Sequence, residues 1–156
     1  IYGFLGVPIK WVMKAGIGKI PFVGAACRAA GFIFVDNSSP KTAAKSVRDA
    51  ERSLRKGASI MVFPEGSRSQ TGKMGRFKKG AYQMAVDQHL PIIPITLNGP
   101  FDVLPIGSLN LRHAPMEMVI HPAVSTEGVE NTHKGLQALA DETRASIAEG
   151  LWPAYQ

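Results

Sequence analysis

The residues of this chain best suited to chemistry stand together at Glu65-Gly66-Ser67-Arg68-Ser69. They follow the apolar run Ser59 to Phe63 and Pro64. In open parallel α/β sheets, ligands bind just beyond the carboxyl ends of strands, so this is where such a fold would receive one. Gly66 lets backbone approach a ligand closely. Ser67 and Ser69 supply hydroxyl donors, and the planar fork of Arg68 matches two phosphate oxygens. Glu65 is suited either to orient Arg68 or to accept from a substrate hydroxyl. A basic cluster follows at Lys73, Arg76, Lys78 and Lys79, with Lys73 the first ammonium available to the same anion. The same residues also suit a solvated turn carrying an ordinary Glu65–Arg68 surface pair, and spacing alone leaves both readings open.

Other motifs fail on inspection. Gly16-Ile17-Gly18-Lys19 hints at a phosphate loop, but Met13 stands at the required first glycine and Ile20 at the required Ser or Thr. Pro21 likewise spoils a dinucleotide fingerprint. Gly66-Ser67-Arg68-Ser69 lacks the spacing of a nucleophile elbow. Cys27 lies among alanines and reads as a buried structural thiol. The four histidines are scattered, no Cys/His cluster has metal-ligand spacing, and neither a metal nor a bound cofactor is expected.

The stretch Phe63 to Ser69 resembles the Phe-Pro-Glu-Gly-Thr-Arg-Ser block of the 1-acylglycerol-3-phosphate acyltransferases, with Ser67 in place of the commoner Thr. Gly31-Phe32-Ile33-Phe34-Val35-Asp36 resembles that family's Gly-x-x-Phe-Ile-Asp-Arg block, and Leu90 to Ile95 its apolar Val-Pro-Ile block. Gly72-Lys73 and Phe77-Lys78-Lys79-Gly80 are similar to the segment after the Glu-Gly-Thr-Arg block. The resemblance implies an α/β fold of the glycerolphosphate-acyltransferase type. It also implies transfer of a fatty acyl group from acyl-CoA or acyl-carrier protein to a lysophospholipid acceptor, forming phosphatidate. Glu65, Gly66, Ser67, Arg68, Ser69, Asn37 and Lys73 would then bind substrate, with peripheral attachment to the cytoplasmic face of the membrane.

Two departures stand out. The family's general base is the His of a His-x-x-x-x-Asp motif, whereas here His89, His113, His121 and His133 are followed five positions on by Pro94, Met118, Thr126 and Ala138. No catalytic residue is therefore expected within the chain. It opens on Ile1 in an uncapped apolar run, and we expect it to continue a longer protein carrying the motif upstream. On this reading the chain alone is inactive. Asn37 also stands where the family has a phosphate-binding Arg, and an amide carries no charge.

Positioning these residues requires elements, and the pattern supplies them. Strands are expected at Val7–Val12, Phe32–Val35, Ser59–Phe63, Ile92–Leu97 and Met116–Ile120, where short β-branched runs are bounded by turn residues. Helices are expected at Ile20–Ala30, ended by Gly31; at Pro40–Lys56, capped by Ser39; at Gly80–His89; and at Asn131–Glu149. Such alternation argues for a single α/β domain over residues 1–156, a mostly parallel central sheet flanked by helices. The helix at 40–56 should bury Ala43, Val47, Ala50 and Leu54. Its Lys41, Lys45, Arg48, Arg52 and Arg55 form a stripe suited either to solvent or to anionic head groups.

Composition closes off several classes. At 156 residues with 45% hydrophobic side chains, the chain can bury a core, and one cysteine excludes an internal disulfide. The +6 charge favours polyanions, but few aromatics interleave with the basic clusters, so nucleic acid is not expected. The most apolar stretch, Ile20 to Val35, contains Arg28 and two glycines and is too short to span a bilayer. A second reading is a non-catalytic module binding anionic lipid through its phosphate. Trp11 and Trp152 would suit a membrane interface, but a core position is expected for at least one of them.

Overall fold

A computed structural model describes residues 2–36, 46, 48–52, 54, 57–108 and 110–156. They divide into two compact units, Ile1–Phe63 and Pro64–Gln156. A short helix α1 (Tyr2–Leu5) opens the first unit, and β1 (Ile9–Lys14) forms the centre of its three-stranded sheet. β2 (Ile33–Val35) and β3 (Ser59–Met61) flank it, both parallel, with Val12 opposite Ile33 and Lys10 opposite Ile60. Pro8 lacks an N–H, yet its carbonyl accepts from Ser59 N–H at 2.9 Å where β3 begins. Ile9, Ile33 and Ala50 are buried, and Trp11 stacks on Phe63 at 5.7 Å.

After β1 the chain makes a 3₁₀ turn (Ala15–Lys19) and then α2 (Val23–Ala29). The sequence places this helix from Ile20; it begins later because Ile20–Phe22 form turns of their own. Gly24 rests on Gly18 so closely that a Cβ there would meet the Gly18 carbonyl oxygen at 2.2 Å. Gly31, at φ +69°, closes α2 as expected: its N–H reaches Arg28 O and that of Phe32 reaches Cys27 O, the paired bonds of a Schellman motif. Cys27 is half-buried rather than enclosed. The described residues from 46 to 54 are helical, with Ala50 buried and Leu54 half-buried, while Arg48 and Arg52 are exposed. The Ser39–Pro40 cap, Lys41, Ala43, Lys45 and Arg55, and the side chain of Val47, lie outside the described residues.

The second unit contains α3 (Gly80–Asp87), β4 (Ile95–Asn98), the single-turn α4 (Pro100–Val103), β5 (Glu117–Ile120), α5 (His133–Glu149) and a final 3₁₀ turn (Pro153–Tyr155). The parallel sheet expected from sequence is β1–β3, whereas β4 and β5 pair antiparallel, Ile95 opposite Ile120 and Asn98 opposite Glu117. A parallel return needs a crossover, usually helical; the described residues between 99 and 116 hold one helical turn only, so the chain comes straight back. β4 starts at Ile95 rather than Ile92 because Pro94 has no N–H for the ladder, although its carbonyl accepts from His121 N–H. Thr132 caps α5, its hydroxyl accepting from Gly135 N–H at 3.1 Å. The buried face of α5 (Leu136, Leu139, Ala140) packs with Phe77, Tyr82, Val86 and Val124 as the core of this unit. Leu136 and Leu139 were legible from the helical period.

Tyr82 is 2% exposed, and its burial pushes the phenol up to about 12; the Thr143 hydroxyl beside it works in the opposite direction. The folded state therefore holds this proton more tightly than the unfolded chain. Stability from Tyr82 should be complete below pH 10 and decline as pH rises from 10 to about 12. Denaturant melts of wild type and Tyr82→Phe across that window should converge at high pH. A constant difference would show that the phenol titrates alike in both states.

Candidate functional site

The segment from Pro64 to Lys78 is a closed loop, because Lys78 N–H donates to Pro64 O at 2.8 Å. Inside it, Glu65, Ser69 and Thr71 spend their side chains on the loop itself. Glu65 is half-buried, and its carboxylate accepts from Gly75 N–H at 2.8 Å. Ser69 donates its hydroxyl to Lys73 O at 2.6 Å and accepts from Thr71 N–H, while the Thr71 hydroxyl accepts from Lys73 N–H. These interlocked turns use Ser and Thr where the chain must reverse. Gly66 (φ +71°) and Gly72 (φ +82°) take left-handed backbone that favours glycine.

What remains outward is cationic. Ser67, Arg68 and Lys73 are exposed. Arg68 touches Leu104 O at 3.4 Å, at the long limit of a hydrogen bond, so its guanidinium is lightly held. Glu65 and Arg68 form no ion pair; the surface-pair reading of this turn is replaced by a carboxylate that braces the loop and an arginine turned elsewhere. Lys78 lies over Gly66, where a Cβ would come within 2.8 Å of its Nζ. The sequence shows Lys78 as one of a basic cluster and gives no reason to single it out; the bare Gly66 backbone it covers was the available signal. Lys79 is committed elsewhere, 2.6 Å from His133 Nε2. Asn37 lies outside the described residues.

The loop is buttressed by residues much later in the chain. Gly72 faces the rings of Phe101 and Tyr155, with a Cβ there 3.4 Å from each. The Tyr155 hydroxyl donates to the Asp102 carboxylate, and burial with that neighbouring charge pushes the phenol above its ordinary range. Arg144 of α5 reaches the carbonyls of Met74 and Gly75 at 3.5 and 3.4 Å. Asn98 pins the returning C-terminus to β4. Its amide donates to Glu117 Oε2 and Gly150 O, and its oxygen accepts from Trp152 N–H. Trp152 Nε1–H reaches the same Glu117 oxygen at 2.7 Å. Both tryptophans thus have partners within the fold.

Chemically, the loop offers a lightly held guanidinium, a neighbouring hydroxyl and a nearby ammonium, with the acidic group turned inward. That set can receive a phosphate. It contains no arranged base, and among the described residues no group of three or more His, Cys, Asp and Glu is placed to hold a metal. No described helix is long and apolar enough to cross a membrane.

Residues 2–98 match the family model described as Acyltransferase. The chain is 34% identical over 148 residues to a chloroplastic 1-acyl-sn-glycerol-3-phosphate acyltransferase of Brassica napus, covering 94% of this chain and 41% of that protein. It is 32% identical to the 1-acyl-sn-glycerol-3-phosphate acyltransferase of Pseudomonas aeruginosa, covering 90% and 57%. The crystal structure of the 1-acyl-sn-glycerophosphate acyltransferase of Thermotoga maritima superposes with a TM-score of 0.71 at 26% identity, over 90% of this chain and 56% of that one. The chain thus spans about half the length, or less, of the relatives it matches.

Proposed function

This chain belongs to the acyltransferase family, and from that premise we propose that its Glu65–Ser69 loop holds the phosphate of 1-acylglycerol-3-phosphate during acyl transfer. The hydroxyl oxygen of the acceptor attacks the thioester carbonyl of acyl-CoA or acyl-carrier protein. The new ester bond forms, the C–S bond breaks, and the hydroxyl proton passes through a base to the departing thiol. By resemblance that base is the His of a His-x-x-x-x-Asp motif on residues preceding Ile1. Arg68, with Ser67 and Lys78, fixes the phosphate so that the hydroxyl meets the base, and positioning of this kind lowers the barrier by several kcal/mol. The reaction takes place at the cytoplasmic face of a membrane, since acceptor and product are both lipids.

The observation carrying this reading is the division of labour in the loop: Glu65 and Ser69 brace it, and Arg68 is left exposed with one long contact. The test is thiol release from each donor in the presence of lysophosphatidate. The 156-residue chain alone is expected to give no turnover, and a longer chain containing the His-x-x-x-x-Asp motif is expected to turn over. Turnover by the chain alone would require another base. Binding of lysophosphatidate without turnover by either would leave a phosphate-binding lipid module.

A further inference from the structure

We propose that the turn Ile20–Val23 is a membrane-docking surface whose partner is an anionic phospholipid bilayer. Phe22 is 91% exposed, the most of any large apolar side chain described, and Ile20 and Val23 beside it are about half exposed. Its backbone is also unusual. Phe22 sits at φ 60° and ψ −50°, and Val23 N–H reaches back across it to Pro21 O at 2.6 Å. This is a γ-turn of the positive-φ kind, which a bulky residue rarely adopts. Strain like this persists where something beyond the local chain favours it. Within the described residues it only leaves a ring in water.

The charge around the turn indicates what it meets. Residues 1–35 contain Lys10, Lys14, Lys19 and Arg28 and no Asp or Glu. Lys14 and Lys19 are exposed at either side of the 3₁₀ turn, and exposed Arg28 donates to Gly18 O at 2.6 Å, next to Lys19. The first acid, half-buried Asp36, follows Val35, the partner of Lys14 in the sheet, so the exposed rim is basic on balance. An apolar tip with such a rim has the composition of an interfacial anchor: rings enter the boundary of head groups and acyl chains while cations meet lipid phosphates. Two copies facing each other through this patch would oppose like charges. The inference deepens the acyltransferase reading, whose acceptor resides in a bilayer, and it is tested without acyl transfer.

The wild-type chain should co-sediment with phosphatidylcholine vesicles containing phosphatidylglycerol and much less with phosphatidylcholine alone. Phe22→Ser should weaken partition on the order of 10–100-fold, and Lys19→Gln by about fivefold at low salt. Leu111→Ser, at another exposed apolar position, should leave it unchanged. Phe22→Trp, in this chain and in one extended upstream of Ile1, should gain blue-shifted emission on anionic vesicles that brominated lipid quenches. Circular dichroism checks each fold. Unchanged partition of folded Phe22→Ser, a Phe22→Trp signal indifferent to lipid in the extended chain, or a wild-type dimer by sedimentation that Phe22→Ser abolishes would overturn the proposal, the last two in favour of a protein contact. In the longer chain containing the His-x-x-x-x-Asp motif, absent docking with acyl transfer intact on a short-chain, water-soluble acceptor defeats this inference alone; docking of that longer chain without acyl transfer defeats the acyltransferase reading alone.

Discussion

Arg68→Ala, in a chain that includes the upstream motif, is expected to lower kcat/KM for lysophosphatidate by about 10–100-fold while the circular dichroism spectrum stays unchanged. A bidentate, charge-assisted contact to phosphate contributes about 1.5–3 kcal/mol, which sets that range. The fold should tolerate the change, because the arginine is exposed and its one contact, to Leu104 O, is long. Arg68→Lys should fall between wild type and Ala: an ammonium keeps the charge but loses the two parallel donors. The measurement is initial rate against acceptor concentration at fixed donor. A folded Arg68→Ala enzyme with near wild-type kcat/KM would move the phosphate to Lys78 and its neighbours.

Asn98→Ala should be the most costly substitution for stability, at about 2–4 kcal/mol. The side chain is fully buried and makes three hydrogen bonds to residues of β5 and the C-terminus. Truncation strands the Gly150 carbonyl and the Trp152 N–H, whereas exposed Glu117 can recover water. Asn98→Asp, nearly the same shape, should cost at least as much, because it sets a second carboxylate where an amide donor now lies 2.9 Å from Glu117. Urea unfolding should show a lower midpoint with unchanged slope for both. A shift below about 0.5 kcal/mol would mean that water takes over the lost bonds.

Much of the architecture was written in local pattern. The five described strands and the helices α2, α3 and α5 lie where alternating and helical periods put them, with ends moved by particular residues: Pro94 delays β4, and the turn at Pro21–Phe22 delays α2; the single-turn helices α1 and α4 are too short to leave a period. The antiparallel pairing of β4 and β5 was harder to read, since it depends on the absence of a crossover helix. The candidate loop was legible by type, because Glu, Gly, Ser and Arg after a strand run is an unusual association. Its internal wiring was not. That Ser69 serves Lys73 O, or that Lys78 covers Gly66, is decided by loop closure through Pro64, a contact with no sequence period. The buttress of Phe101, Arg144 and Tyr155 is equally silent, because sequence spacing carries no trace of contacts so distant along the chain.

That buttress has a consequence for biosynthesis. Tyr155 is translated 87 residues after Arg68, and the span matched by the family model ends at Asn98, before any of the supporting side chains. At about 5–20 residues per second, the ribosome leaves the loop without its support for on the order of ten seconds. During that interval the nascent chain already displays its cations among cellular polyanions, but not yet in their buttressed geometry. The support of the loop is thus complete only once Tyr155 has emerged.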